Sequence, residues 1–458
     1  MKIIILGAGQ VGLSMAEILC RENNDLTLVD SNPTRIEGLQ DRLDLRTIVG
    51  SASHPNVLEQ AGGADADLLL AVTSQDEVNM AACQIAYSLF RTPTKIARVR
   101  SASYLSHPDI FCDKAIPIDV IINPEEIVTQ QVFRLIEYPG ALQVVDFAGG
   151  QIQLIGVRAY FGGPLIGHEL GELRDHLPTA KTRVAAIYRN NQAIIPHGDT
   201  VIEPDDEVFF VADRNDIRKV MSELRLSEKT GRRIMLAGAG NIGLRLAQAL
   251  EKGHYQVKII ESDRTRARQI AELLNQTVVL HGNAADEDLM AQENIENVEA
   301  FCSITNEDET NILSAMLSKR LGARRAMALV NRSAYVDLVE SKTLDIAISP
   351  NVVTVGTLLR HIRRGDTVAV HSLRRGAAEV LEIVAHGDRS NSRVVGKRIG
   401  EIQFPPGTTL GAILRDGEVI TAFRDVVIQS EDHLIIFVID KRHIPQVETL
   451  FQVSVTYV

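Results

Sequence analysis

The chain has no tryptophan, and its aromatic residues amount to only 4% of the sequence. Stacking platforms for bases, which single-stranded nucleic-acid binders rely on, are therefore scarce. Positive charge is also short. The formal net charge is −11, which argues against nucleic acid as a partner. Cys20, Cys83, Cys112 and Cys302 stand far apart and form no CxxC pair, so they read as reduced structural thiols of a cytosolic protein. The histidines, among them His54, His107, His168, His176 and His197, show no HxxxH or HExxH spacing, so no metal is implied. No apolar run approaches the roughly 18–20 residues that a membrane span needs. Met1-Lys2-Ile3 leads straight into an apolar strand, which predicts no signal peptide. What is present is 458 residues of ordinary globular composition, 45% hydrophobic and 23% charged, enough for about three or four domains.

The chain repeats itself. Ile4-Ile5-Leu6-Gly7-Ala8-Gly9-Gln10-Val11-Gly12-Leu13 returns as Ile234-Met235-Leu236 followed by Gly238-Ala239-Gly240-Asn241-Ile242-Gly243-Leu244, an offset of 231 (238 − 7). Val72 to Asn79 returns as Ile304 to Asn311, offset 232, and Asp119 to Pro124 as Asp345 to Pro350, offset 226. Pro204-Asp205-Asp206-Glu207 returns as Ser430-Glu431-Asp432-His433. So many blocks in one order mean that a whole unit is duplicated.

Each copy divides in two. The first part alternates continuous apolar strands, such as Ile3–Leu6, Leu26–Val29 and Leu68–Val72, with helical stretches. That pattern predicts an α/β, doubly wound parallel sheet of Rossmann type. Pro124 and Pro350 suit the first position of a helix, running to about Glu137 and about Arg364. The second part is strand-rich, with period-2 alternation in Gln151-Ile152-Gln153-Leu154 and Pro/Asp turns. The expected division is a first sheet domain at 1–123, a helix at 124–139, a small lobe at 140–225, and a polar linker at 226–232. A second sheet domain at 233–349, a helix at 350–365 and a second lobe at 366–458 follow.

A glycine loop alone is weak evidence. Here each one follows a strand, opens a helix, and precedes an acid by 18 residues (30 − 12 for Asp30, 261 − 243 for Glu261). That is the dinucleotide fingerprint. Gly7 permits the turn, Gly9 lets phosphates approach the backbone, and Gly12 lets the helix pack on the strand. The helix N-termini, Gln10-Val11 and Asn241-Ile242, offer free N–H groups. Asp30 and Glu261 would accept hydrogen bonds from ribose hydroxyls and repel a 2′-phosphate, favouring NAD(H) over NADP(H). Thr73 and Ser74, with partners Thr305 and Asn306, stand at the carboxyl edge where ligands bind; capping of the next helix is the alternative, and both can hold. Arg98 lies in a strand and needs an anion, either a ligand phosphate or a carboxylate. Its counterpart is Leu329, so the two sites differ. The run Arg360-His361-Ile362-Arg363-Arg364 favours a helix C-terminus, with a partner contact as the alternative.

These fingerprints, the Asn-Pro or Ser-Pro helix and the small lobe, in that order and twice over, resemble the RCK (KTN) domain family, which regulates potassium conductance. Two units in one chain are similar to the peripheral nucleotide-binding subunits of bacterial Trk potassium uptake systems. The resemblance implies RCK N-lobes, crossover helices and α+β C-lobes. It implies no catalysis, but binding of NAD(H), or of ATP/ADP, that gates a transmembrane K⁺ transport subunit of the Trk type. It places the protein in the cytoplasm, peripheral on the cytosolic face of the inner membrane, as a homo-oligomer, a tetrameric ring. Ile127, Val128, Val132 and Leu135, with Val353, Leu358, Leu359 and Ile362, supply an apolar side to the crossover helices. By resemblance that side packs on a neighbouring unit and holds the ring; packing within the chain is the alternative. The rival class is an NAD-dependent dehydrogenase. It needs a shared acid/base constellation, yet His168 and His176 of the first lobe fall opposite Val394 and Ile402 of the second.

Overall fold

A computed structural model of the chain describes residues 1–21, 24–190, 192–224, 231–332, 335–336, 344–362, 367–373 and 377–453. Most of the expected linker, and Arg363 and Arg364 of the basic run, lie outside them. The first sheet contains β1 Lys2–Leu6, β2 Asp25–Asp30, β3 Arg46–Val49, β4 Leu68–Ala71, β5 Thr94–Arg98 and β6 Val120–Ile122. They lie in the order β3-β2-β1-β4-β5-β6, all parallel. Ile3 to Leu6 and Leu68 to Ala71 are buried throughout, as strands covered on both faces must be. The strand order reverses between β1 and β4, and a doubly wound sheet opens its ligand crevice there.

An antiparallel lobe follows, formed by β7 Ala141–Phe147, β8 Ile152–Arg158, β9 Thr182–Arg189, β10 Gln192–Ile194 and β11 Glu207–Asp213, in the order β10-β9-β11-β8-β7. The second half repeats both sheets. Its parallel sheet, β12 Arg233–Ala237, β13 Gln256–Glu261, β14 Val278–His281, β15 Ala300–Ser303, β16 Ala326–Leu329 and β17 Ile346–Ile348, runs β14-β13-β12-β15-β16-β17. Its lobe, β18 Thr367–Leu373, β19 Ala378–Ala385, β20 Thr408–Arg415, β21 Glu418–Thr421 and β22 Asp432–Val438, runs β18-β19-β22-β20-β21. Read from the other edge, that is the topology of the first lobe. The two lobes share one core, in which Phe147, Leu154 and Phe209 meet Val380, Ile435 and Phe437.

Two helices tie the halves together. Asn123 caps the helix Pro124–Glu137 by accepting a hydrogen bond from the Glu126 N–H, and proline opens it. Its buried side chains Val128, Val132, Leu135 and Ile136 pack with Leu246, Ala247 and Leu250 of the helix Asn241–Lys252, in the second half. The helix Pro350–Ile362 reciprocates, placing Val355, Leu358, Leu359 and Ile362 against Met15, Ala16 and Leu19 of the helix Gln10–Cys20, in the first half. The neighbouring unit is thus the other half of the same chain. The expectation that this apolar side joins separate chains is corrected: the residues are spent within the chain. Val353 is only half-buried, and Val355 fills the place expected of it. Burial pushes the Cys83 and Cys302 thiols up to about 12, as befits inert core residues. No helix among the described residues is long and apolar enough to cross a membrane.

Val132 and Leu135 are 0% and 1% exposed. Replacing both with Asp puts two carboxylates into an apolar seam, where each unpaired charge costs several kcal/mol. The expected outcome is a loss of folded protein, seen as a lowered thermal midpoint or as aggregation. A variant that stays folded and merely divides into smaller species in light scattering would contradict this packing.

Candidate functional site

The first glycine loop opens directly under a cleft of about 320 Å³ at the carboxyl edge of the first sheet. Gly7 has φ +104°, and a Cβ there would come within 3.0 Å of the Thr73 Cα. At Gly12 a Cβ would fall 1.9 Å from the Gly7 carbonyl oxygen. Gly9 differs from both, because a Cβ there meets nothing within 4 Å. Its side of the loop faces open space. Gly238, Gly243 and Gly240 repeat the three roles in the second half: φ +98°, a 2.1 Å clash with Gly238, and open space. Gln10 and Val11, like Asn241 and Ile242, form the first turns of helices whose N–H groups point back at the loop.

Gly7, Gly9, Asp30, Thr73, Ser74 and Arg98 all line the first cleft. Ala8 is buried beneath it and donates its N–H to Asp30 Oδ2 at 2.7 Å. Asp30 Oδ1 accepts from the Asn32 N–H, so the carboxylate staples the glycine loop to the end of β2. Each oxygen retains a further lone pair for a ribose hydroxyl. Glu261 does the same in the second half, accepting from the Ala239 and Asp263 N–H groups at 2.8 and 2.9 Å.

Thr73 is not the formal cap of the helix Asp76–Ile85; Gln75 holds that position without a side-chain bond. The Thr73 hydroxyl donates instead to Asn79 Oδ1 at 2.7 Å. Asn79 is fully buried, accepts the Thr73 N–H as well, and donates to the carbonyls of Thr73 and Arg98. One amide thereby joins the ends of β4 and β5. Asn311 repeats the arrangement with Thr305 and Leu329, while Asn306, like Ser74, is exposed. Asp76 and Asp308, both buried, accept backbone N–H groups just past β5 and β16. The sequence reading did not single out these four residues, although Asn79 and Asn311 close the matching blocks from which the repeat was recognised. It also passed over Arg35, which lines the cleft 3.7 Å from Asp30. Arg266, at the glycine-loop offset of 231 (266 − 35), is the signal that marks it.

Arg98 ends β5 and is half-buried. Burial, and then the neighbouring Arg100, hold its pKa below the ordinary arginine value. Its Nε is buried with no hydrogen-bond partner among the described residues. In the second half Leu329 occupies the end of β16 and is buried. No group of three or more His, Cys, Asp or Glu residues among the described residues is arranged to hold a metal ion.

Asn79→Ala leaves the Thr73 N–H and two carbonyls unpaired at the head of the cleft. A cost of about 1–3 kcal/mol for each buried donor left unsatisfied predicts a lower unfolding midpoint in denaturant. An unchanged midpoint would show that this amide does not hold the two strands.

The arrangement matches known proteins over the whole chain. The TrkA-N domain family matches residues 3–124 and 234–350, and the TrkA-C domain family residues 154–235 and 389–452. The Trk system potassium uptake protein TrkA of Halomonas elongata is 59% identical over 100% of both chains. That of Vibrio alginolyticus is 56% identical over 99% of each. Among solved structures, the GsuK RCK domain superposes with a TM-score of 0.62 at 18% identity, covering 98% of this chain and 94% of that one, which shows the RCK fold. The GsuK channel bound to NAD superposes at 0.61 and 18% identity, over 98% of this chain and 78% of that one. With both domain families matched twice and full-length relatives well above 30% identity, the chain belongs to the TrkA family of Trk system potassium uptake proteins.

Proposed function

We propose that this chain is a nucleotide-sensing regulatory subunit. It binds NAD(H), or ATP/ADP, in its two glycine-loop clefts and gates a transmembrane K⁺ transport subunit of the Trk type. It works in the cytoplasm, on the cytosolic face of the inner membrane, as a homotetrameric ring. The observation that carries this reading is the first cleft: a glycine loop open at Gly9, a ribose acceptor at Asp30, and a half-buried Arg98 with an unpaired Nε at the same sheet edge. A phosphate satisfies that guanidinium. A fold relative, the GsuK channel, has been solved bound to NAD, which supports the dinucleotide. The family is one of potassium uptake proteins, and that membership displaces the dehydrogenase reading. Co-purification with a Trk-type transmembrane subunit, then K⁺ flux with NAD⁺, NADH, ATP and ADP, tests the whole. Nucleotide binding with no effect on flux would overturn the gating role.

The two clefts are not equivalent. The first has Arg98, and an Arg35 free enough to swing toward a ligand, with 56% of its side chain exposed. The second has Leu329, and its Arg266 donates to the Ala239 carbonyl of the glycine loop. One charge-assisted contact in a partly desolvated site is worth about one to two decades of affinity. A Cβ at Gly9 or at Gly240 meets nothing within 4 Å, so valine at either is expected to block ligand approach to its own glycine loop while the fold is kept. With Gly240→Val, the surviving first site is expected to bind NAD(H) and ADP more tightly than the second site surviving in Gly9→Val. Identical calorimetric profiles for the two variants would remove the division of labour.

A further inference from the structure

The seam between the two lobes gathers positive charge without neutralising it. Arg183, in β9 of the first lobe, is half-buried and donates to the Ala422 carbonyl of the second. Phe423 and Arg424 follow Ala422 in the chain. Arg174, in the short helix Leu173–His176 of the first lobe, holds its guanidinium 4.1 Å from the centre of the Phe423 ring. Three arginines thus flank the segment 422–424. A carbonyl and a ring are neutral partners and leave the charges uncompensated. Among the described residues none of the three is paired with a carboxylate. Asp175 and Asp425, beside Arg174 and Arg424 in the sequence, are exposed and pair with neither. Lys181, two residues before Arg183, gives the contrast, because it meets Glu418 of the second lobe at 3.0 Å. Burial, and then the like charges of Arg174 and Arg424, hold the Arg183 pKa below the ordinary arginine value.

Duplication supplies the control. Arg183 pairs with Val211 and Thr409 with Phe437, so an offset of 226 (437 − 211) sets Thr409 opposite Arg183 and Gly198 opposite Arg424. The turns at Gly171 and Gly400 match as well, their N–H groups donating to the Gly198 and Arg424 carbonyls. Their offset of 229 (400 − 171) sets Gln403 opposite Arg174. The matching positions carry no charge, so the lobe fold does not require these arginines. In a chain of net charge −11, three uncompensated cations at one place call for an anion. A carboxylate carries one charge. A phosphoryl group carries close to two at neutral pH, with three acceptor oxygens for the three guanidinium groups. The Phe423 ring, which could stack on a base, is already covered by Arg174. We propose that Arg174, Arg183 and Arg424 bind a phosphoryl dianion at the seam between the lobes, a site separate from both glycine loops. Arg174 and Arg183 come from one lobe and Arg424 from the other, so the bound anion ties the lobes together.

The test is calorimetric titration of the full chain with inorganic phosphate and with AMP, at an ionic strength fixed with chloride. Gly9→Val and Gly240→Val are introduced to obstruct both glycine loops, circular dichroism checks the fold, and the same ratios are read in the parent chain. Inorganic phosphate is expected to bind at one site per chain. Arg174→Gln and Arg424→Gln, made singly, are each expected to weaken it about 10-fold. Both side chains are exposed, so their loss spares the contact of Arg183 with Ala422. Arg442→Gln is the control for surface charge, because that arginine has 88% of its side chain exposed and pairs with Asp440; it is expected to leave the affinity unchanged. AMP bound more tightly than phosphate, and weakened by the same two variants, supports the site and makes its phosphoryl group part of a nucleotide. AMP bound more weakly supports it as a site for the free ion. Equal loss in all three arginine variants reduces the cluster to general surface charge and overturns the proposal. Failure of both probes to bind also overturns it, and leaves the reading of the glycine loops untouched.

Discussion

The reciprocal exchange of two helices is the constraint on which the rest of this molecule depends. The helices Gln10–Cys20 and Asn241–Lys252 each present a glycine loop at one end and an apolar flank along their length. That flank is covered by the crossover helix of the opposite half. Each fully buried aliphatic side chain in such a seam is worth about 1.5–3 kcal/mol. Neither parallel sheet is therefore complete alone, and the helix that follows the glycine loop in one half rests on the chain segment that leaves the other. The polar contacts follow the same path. Asn351 donates to Ser14 at 2.8 Å, and Arg245 pairs with Glu126 at 2.9 Å. A shift at either cleft is thus in direct contact with the other half.

Much of this was legible in the sequence, because duplication supplies its own control. The offset blocks predicted two sheets of one kind, and the strand orders agree strand for strand. The glycine loop and its acid declared themselves by spacing, since the turn at Gly7 and the clash at Gly12 are local backbone matters. The helices at Pro124 and Pro350 were marked by proline; their burial partner was not, because periodicity identifies an apolar face but not what covers it. Asn79 was hidden for a related reason. It acts on Thr73, six residues back, and on the Arg98 carbonyl, 19 residues ahead, and only the pairing of β4 with β5 brings these together. Arg98 showed its type and place in the sequence, but the unpaired state of its Nε is a property of three dimensions.

The lobes hold a duplicated lock that the sequence showed by half. Asp206 and Asp432 stood out as matching turn residues. In the structure each is essentially inaccessible and accepts two bonds from an arginine, Arg189 and Arg415, at 2.7–2.8 Å. Each also accepts a backbone N–H three residues earlier, from Glu203 and Gln429. A buried carboxylate is tolerated only when its lone pairs are filled in this way. The arginine comes from a neighbouring strand, where nothing in its surroundings in the sequence distinguishes it from a solvated surface residue.

The swapped helices have one more consequence. A chain with a single unit would have to bury its crossover helix against a second copy of itself, and a twofold dimer must carry every residue at both of its clefts. Joining two units in one chain keeps the same interface and lifts that symmetry. Arginine can then stand at the end of β5 and leucine at the end of β16 without either choice being imposed on the other side. Covalent linkage here is what permits one interface to join two differently furnished glycine loops in a fixed ratio of one to one.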